Sequence, residues 1–167
     1  DGFGACFLGP NGPEYFGGRW ADYGIDPRAA GMHISELEAL ALALAVETWG
    51  HYLSGRRVSV RVDNEACVTM VNNRNARDPG MMHSMRNIFF EMARNSFELG
   101  SRWISTKDNV LADAASRSDW KRFFEFASSE FGFEPADMRE VVPTTDIGLQ
   151  LRKIKKARAA AAAHEAR

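Results

Sequence analysis

Arg57-Val-Ser-Val-Arg-Val-Asp63 alternates valine with charged or polar residues, and it lies between two stretches that read as helices. A strand bracketed by helices needs neighbouring strands and a helical layer to cover its apolar side, which commits the chain to an α/β arrangement. Before it, His33–Leu53 carries Leu37, Leu40, Leu44 and Trp49 at three-to-four spacing in an alanine-rich background, the pattern of a long helix. Ser35 reads as its N-cap, with Glu38 three residues on completing a capping-box pattern, and Gly55 as its stop. After the strand come a short helix over 64–72, a loop over 72–80 and a second long helix from Met81 to Leu99 with Gly100 as C-cap. Ser101–Thr106 reads as a strand, Asn109 opens a helix that reaches about Arg117, and Trp120–Phe131 reads as another helix. At the start, the runs Gly2–Gly9 and Glu14–Trp20 flank Pro10-Asn-Gly-Pro13 and predict a β-hairpin, with loop over 21–32. The expected fold is a mixed sheet with flanking helices.

A chain of 167 residues fits one globular domain plus a tail. The composition shifts at Gly132, so residues 1–131 are expected to form the domain and 132–167 a linker followed by a C-terminal helix or tail. From Leu149 onward the chain is rich in alanine and carries Arg152, Lys153, Lys155, Lys156, Arg158 and Arg167 against Glu165, with little apolar surface to bury. A solvated helix or an electrostatic contact with nucleic acid both suit that end. The 21 basic and 22 acidic residues nearly cancel, which excludes a uniformly basic coat protein or an acidic solvating chain. Cys6 and Cys67 are too few for a disulfide scaffold or a cysteine-based zinc site. They are expected as buried thiols in a reducing intracellular setting, cytoplasm or nucleus. The longest apolar run, Ala39–Val46, is cut short by Glu47, so no membrane span is expected, and no signal peptide opens the chain. The sequence begins at Asp1, without methionine, and reads as part of something longer.

Three carboxylates stand where chemistry gathers in α/β folds. Asp63 lies at the carboxyl end of its strand, the edge outside which ligands bind; a cap for the following helix is the plainer role. Asp113 is four residues from Asn109, so the two share a helix face; a solvated surface residue is the plainer role. Glu38 lies in the first turn of the long helix, where capping and favourable interaction with the helix dipole are the plainer roles for it or for Glu36. One carboxylate from an early helix, one from a strand end and one from a later helix can converge at a single sheet edge. Such hard oxygen ligands suit Mg²⁺ or Mn²⁺, and a pair of these ions can drive phosphodiester hydrolysis. No glycine-rich phosphate loop, His-Glu-x-x-His or Gly-x-Ser-x-Gly points to other chemistry.

The same residues carry a family likeness. Ile34-Ser-Glu-Leu-Glu-Ala-Leu through Leu53 resembles the first helix of retroelement ribonuclease H domains. Val60-Arg-Val-Asp-Asn64 resembles their strand that ends in a catalytic aspartate, and Lys107-Asp-Asn-Val-Leu-Ala-Asp-Ala-Ala-Ser-Arg117 their closing motif, Asn-x-x-Ala-Asp-x-x-Ser-Arg. The likeness covers about residues 2–117 and is nearest to reverse transcriptases of DIRS-type and gypsy-type retrotransposons. It implies a ribonuclease H-like fold and an endonuclease that cuts the RNA strand of RNA–DNA hybrids with two Mg²⁺ or Mn²⁺ ions. It also implies that the rest of a reverse transcriptase polyprotein is a partner. By position, Glu38, Asp63 and Asp113 match the family's metal-binding carboxylates; a register shift of two would give Glu36 the role of Glu38. Asn109 would orient the loop ahead of Asp113. Asn64, Asn73, Arg74 and Arg77 are candidates for nucleic-acid contact.

Two departures from the family pattern stand out. The family's first, central strand, which carries another catalytic aspartate, has no counterpart here and would lie upstream of Gly2. Trp103 stands ten residues before Asp113, where related domains carry a histidine that could assist proton transfer. These departures support an alternative: a catalytically inactive ribonuclease H-like module that positions nucleic acid or connects a polymerase to a downstream domain. An integrase-like or junction-resolving nuclease is a third reading, against which the motif around Asp113 argues. Met81, Met82, Met85, Phe89, Phe90 and Met92 read as core or interface residues.

Overall fold

The computed structural model describes residues 2–24 and 26–165; Asp1, and Arg167 at the end of the basic tail, lie outside the described residues. β1 (Gly2–Gly9) and β2 (Gly12–Arg19) form the expected hairpin, antiparallel from Gly2 opposite Arg19 to Gly9 opposite Gly12. Gly12 turns the corner with φ 105°, a conformation open to glycine at no steric cost.

α1 (Ile34–Trp49) is buried on two sides. Leu37, Leu40, Leu44 and Trp49 join Phe3, Phe16 and Trp20 in one cluster, while Ala39, Leu42, Ala43 and Val46 join a second cluster with Cys67, Met70, Met85 and Ile88. A helix that is apolar nearly all round belongs inside a fold. Its predicted reach to Leu53 holds, the last turn being a 3-10 segment over Gly50–Leu53. Its cap lies two residues earlier than expected. His33 is the N-cap: Ser35 N donates to His33 Nδ1 at 3.2 Å, and His33 N donates to Glu36 Oε2 at 2.7 Å.

β3 (Arg57–Val62) is followed by α2 (Glu65–Asn73), α3 (Pro79–Arg94) and β4 (Glu98–Trp103), and β4 pairs in parallel with β3, Val62 aligned with Trp103. The long helix expected to run to Leu99 thus ends at Arg94. Asn95 and Ser96 make a turn, Ser96 taking φ 54°, and the chain leaves it extended. Gly100 is then no cap but a strand residue opposite Ser59. Phe97, Leu99 and Ser101 are buried on alternate positions, the period-two pattern of a strand with one covered face. Within α3, Met81, Met85 and Met92 are buried as expected, whereas Phe89 and Phe90 project into solvent.

α4 (Val110–Ser116), α5 (Trp120–Phe131), β5 (Arg139–Glu140) and α6 (Ile147–Glu165) complete the chain. β5 pairs in parallel with β2 through Glu14 and Tyr15. The buried carboxylate of Glu14 fixes that junction: its Oε2 accepts from the Trp49 indole at 2.9 Å, and its Oε1 is paired with Arg139. The result is a mixed α/β fold, with a correction to the expected single sheet. Among the described residues there are two sheets, β1–β2–β5 and β3–β4. β1 and β3 each keep one edge without a strand partner there, and α1 packs against residues of both sheets.

Two further expectations are corrected. Cys67 is buried but Cys6 is exposed. The C-terminal segment is not short of apolar surface, since Ile147, Leu151 and Ile154 are buried in the cluster of Phe3, Phe16, Trp20, Leu37 and Leu40. Their spacing puts them on one stripe of α6, and the basic Arg152, Lys153, Lys155 and Lys156 are exposed beside it. Residues 132–148 likewise include the strand that pairs with β2, so the change of composition at 132 does not separate two cores. Leu151→Ala is therefore expected to destabilise the fold by about 2–5 kcal/mol, the cost of emptying a leucine site in a packed core, read from urea unfolding. A merely solvated tail would give a change within about 0.5 kcal/mol.

Candidate active site

Each of the three carboxylates is placed by a different element. Glu38 lies in the second turn of α1. Glu36 and Glu38, the two candidates for the helix carboxylate, differ in their surroundings. Glu36 is spent on the helix cap, accepting from His33 N, and is 1% exposed against Gly80 of α3 and Arg158 of α6, whose Nη1 is 3.5 Å from Oε2. A Cβ at position 80 would meet Glu36 Oε1 at 2.2 Å, so the glycine lets α3 close over that carboxyl. Glu38 makes no hydrogen bond or ion pair among the described residues.

Asp63 follows the last residue of β3. Its plainer role, capping α2, belongs to Asn64, whose Oδ1 accepts from Cys67 N at 3.1 Å while its Nδ2 donates to Ser35 Oγ at 3.3 Å. Asp63, like Glu38, is left without a hydrogen-bond or ion-pair partner among the described residues. Asp113 lies in the first turn of α4, which reaches the sheet because β1 has glycine at position 4; a Cβ there would be 2.6 Å from the Ala115 Cβ. Asn109 is the N-cap of α4, with Asp113 N donating to its carbonyl at 3.0 Å, but its side chain makes no capping bond.

The three groups share one field. The Glu38 carboxyl is held above the ordinary carboxylate range, first by burial and then by the negative charge of Asp63, with a smaller push from Asp113, against the opposing pull of the N-terminal ammonium. Cys67 senses the same charges: burial, then Glu38 and Asp63, push its thiol up to about 12. Carboxylates whose charges weigh on a neighbouring carboxyl in this way favour a cation among them. Oxygen donors of this kind fit Mg²⁺ or Mn²⁺ in their chemistry. Among the described residues, no three His, Cys, Asp or Glu close around a common point. Asp113 is itself engaged by neighbouring cations. Its Oδ1 accepts from Arg117 Nε at 2.8 Å and its Oδ2 from Arg122 Nη1 at 2.8 Å, so a separate guanidinium takes each oxygen.

Trp103 ends β4 beside the site, in register with Val62, and is 55% exposed. Of the residues expected to touch nucleic acid, Asn64 and Arg74 are engaged within the fold. Arg74 Nη1 donates to the carbonyls of Val71 and Leu99 at 3.0 and 2.6 Å. Asn73 and Arg77 are exposed and free of such bonds among the described residues. Arg122 was invisible in the sequence, because nine positions and a helix break separate it from Asp113. Arg117 was legible as an i,i+4 partner.

Residues 23–89 match a family described as the RNase H-like domain found in reverse transcriptase. The match includes Glu38 and Asp63 and ends before Asn109 and Asp113, the latter of which bears on Glu38 through its charge. No curated protein matches the chain, and no solved structure does. Among the described residues, no helix is long and apolar enough to cross a membrane.

The raised Glu38 carboxyl sets a sign for stability against pH. Its folded-state pKa lies above its unfolded one, so its contribution is full at low pH and is lost as pH rises through the folded value. In metal-free buffer, Glu38→Gln is expected to melt at a higher temperature than the parent at neutral pH. The gap should close below about pH 4, where the unfolded carboxyl is also protonated. Equal melting at neutral pH would contradict the assignment.

Proposed function

We propose that this RNase H-like chain is a metal-dependent endonuclease that hydrolyses the RNA strand of RNA–DNA hybrids within a retroelement reverse transcriptase polyprotein. The observation that carries the reading is the electrostatic coupling of Glu38, Asp63 and Asp113, delivered by α1, β3 and α4. The closing motif around Asp113 supports it, because it brings into that field the one carboxylate that the family match does not cover.

In this reading Glu38, Asp63 and Asp113 would hold two Mg²⁺ or Mn²⁺ ions, which when bound supply an activated water and charge stabilisation at the leaving oxygen. The chain's own residues do the rest. Glu38 and Asp63 make no hydrogen bond or ion pair among the described residues, so they keep their oxygens for an incoming cation. Asn64 holds the start of α2 and ties it to Ser35 of α1, which fixes the strand end and the helix relative to each other. Asn109 starts the helix that carries Asp113. Arg77 and Asn73 remain available to the phosphate backbone, and an A-form-like hybrid would be met through phosphates and 2′-hydroxyls. A strand bearing a further aspartate, as the resembling family has, would find the unpartnered edges of β1 and β3. An intracellular setting, cytoplasm or nucleus, follows for such an enzyme.

The test is cleavage of a labelled RNA–DNA hybrid in Mg²⁺ or Mn²⁺. Asp63→Asn is expected to lower the rate by at least about 100-fold, the scale on which loss of a group acting in the transition state is felt. A folded chain that fails to cleave, or one that cleaves equally well as Asp63→Asn, would contradict the reading. The first outcome would favour a module that positions nucleic acid without cutting it.

A further inference from the structure

Asp113 differs from its two partners in the site. Its side chain is 13% exposed, and it lies beneath two guanidiniums that are themselves open to solvent, Arg117 at 66% and Arg122 at 45%. Arg117 comes from one turn further along α4 and Arg122 from the first turn of α5, so two elements converge on one carboxylate. The pairing leaves no oxygen of Asp113 free, yet it is more than one carboxylate needs. Two cationic groups against one anion leave a positive excess on the solvent side of the cluster, beside a Glu38 and an Asp63 that make no ion pair among the described residues.

A guanidinium that faces water and is held by a carboxylate on one side can still be captured by a better planar or multidentate anion. A phosphodiester backbone is such an anion, at high local charge density. The exchange would have a second effect. Once Arg122 or Arg117 turns to a phosphate, an oxygen of Asp113 is released into a site already short of positive charge.

We propose that Arg117 and Arg122 are an exchange pair. Without nucleic acid they occupy Asp113, and on arrival of a phosphodiester backbone they transfer to it and free Asp113 to help hold a divalent cation. Backbone binding and cation binding are thereby coupled in the same direction, each favouring the other. The two arginines act as positioning residues, working through Asp113 and the backbone phosphates. This inference rests on the nuclease reading above and adds to it an order of events.

Two measurements on the full chain test it, neither of them activity. The first is Mn²⁺ affinity without nucleic acid, followed by the electron paramagnetic resonance of free Mn²⁺. Arg122→Ala is expected to bind Mn²⁺ about 5-fold tighter or more, the lower end of ordinary coupling between sites, and Arg122→Ala combined with Asp113→Asn should lose that gain. The second is affinity for an uncleavable 2′-O-methyl RNA–DNA duplex across a salt series without metal. Arg122→Ala should weaken it and reduce the slope of log affinity against log salt by about one. Arg122→Gln serves as a second variant, and circular dichroism melting confirms that each is folded.

Unchanged or weaker Mn²⁺ binding by folded Arg122→Ala would overturn the exchange, as would an unchanged duplex affinity and salt slope. If that happens while the parent chain still cleaves hybrid, the inference fails and the nuclease reading stands. If the parent neither binds Mn²⁺ nor cleaves hybrid, the nuclease reading fails and the exchange with it.

Discussion

The fold depends on α1 being buried on two sides at once. The two sheets make no strand-to-strand bonds with each other among the described residues, so α1 is what sets one against the other. Its leucines Leu37, Leu40 and Leu44 serve the hairpin side, and Ala39, Leu42, Ala43 and Val46 serve the side of α2 and α3. Each fully buried leucine contributes on the order of 1.5–3 kcal/mol of transfer free energy, while the alanines let a neighbouring helix approach closely. α6 adds Ile147, Leu151 and Ile154 to the hairpin side, so the C-terminal segment helps to hold the helix that carries Glu38.

That arrangement gives the two neighbouring glutamates of α1 different fates. Glu36 is sealed under α3 and α6 and is used by the cap of its own helix; burial, its largest influence, raises its pKa. Glu38, two residues on, emerges where β3 ends and α4 begins. Separation of one structural carboxyl from one uncompensated carboxyl is set by helical geometry, since two positions along a helix turn a side chain through about 200° at 3.6 residues per turn. Ionising the Glu38 carboxyl, buried beside the charge of Asp63, is costly unless something positive arrives, which is a mark of a site built for a ligand.

Much of this was legible in the sequence, and the exceptions have physical causes. The hairpin, α1, β3 and α5 were readable because their apolar spacing and their turn residues agree. The end of α3 was not, because Phe97-Glu-Leu-Gly is made of residues that also suit a helix, and only the Asn95-Ser96 turn marks the break. The cap of α1 was misplaced by two because a histidine ring nitrogen takes the role that Ser35 seemed suited to. The docking of α6 was underestimated because a basic composition hid a clean stripe of Ile147, Leu151 and Ile154. At the candidate site, Glu38, Asp63 and Asp113 could be singled out from motif and position, whereas the hold of Arg122 on Asp113 needed the packing of α5 on α4.

The claim on which everything else rests is that Glu38 and Asp63 lie in one field. The most direct measurement is the pH titration of the Glu38 side-chain carboxyl by carbon-13 NMR, in the parent chain and in Asp63→Asn, without metal. In the parent, Glu38 should titrate above the ordinary carboxylate range. In Asp63→Asn its midpoint should move down, because a negative neighbour that disfavours ionisation has been removed. An identical Glu38 midpoint in the two proteins would contradict the account.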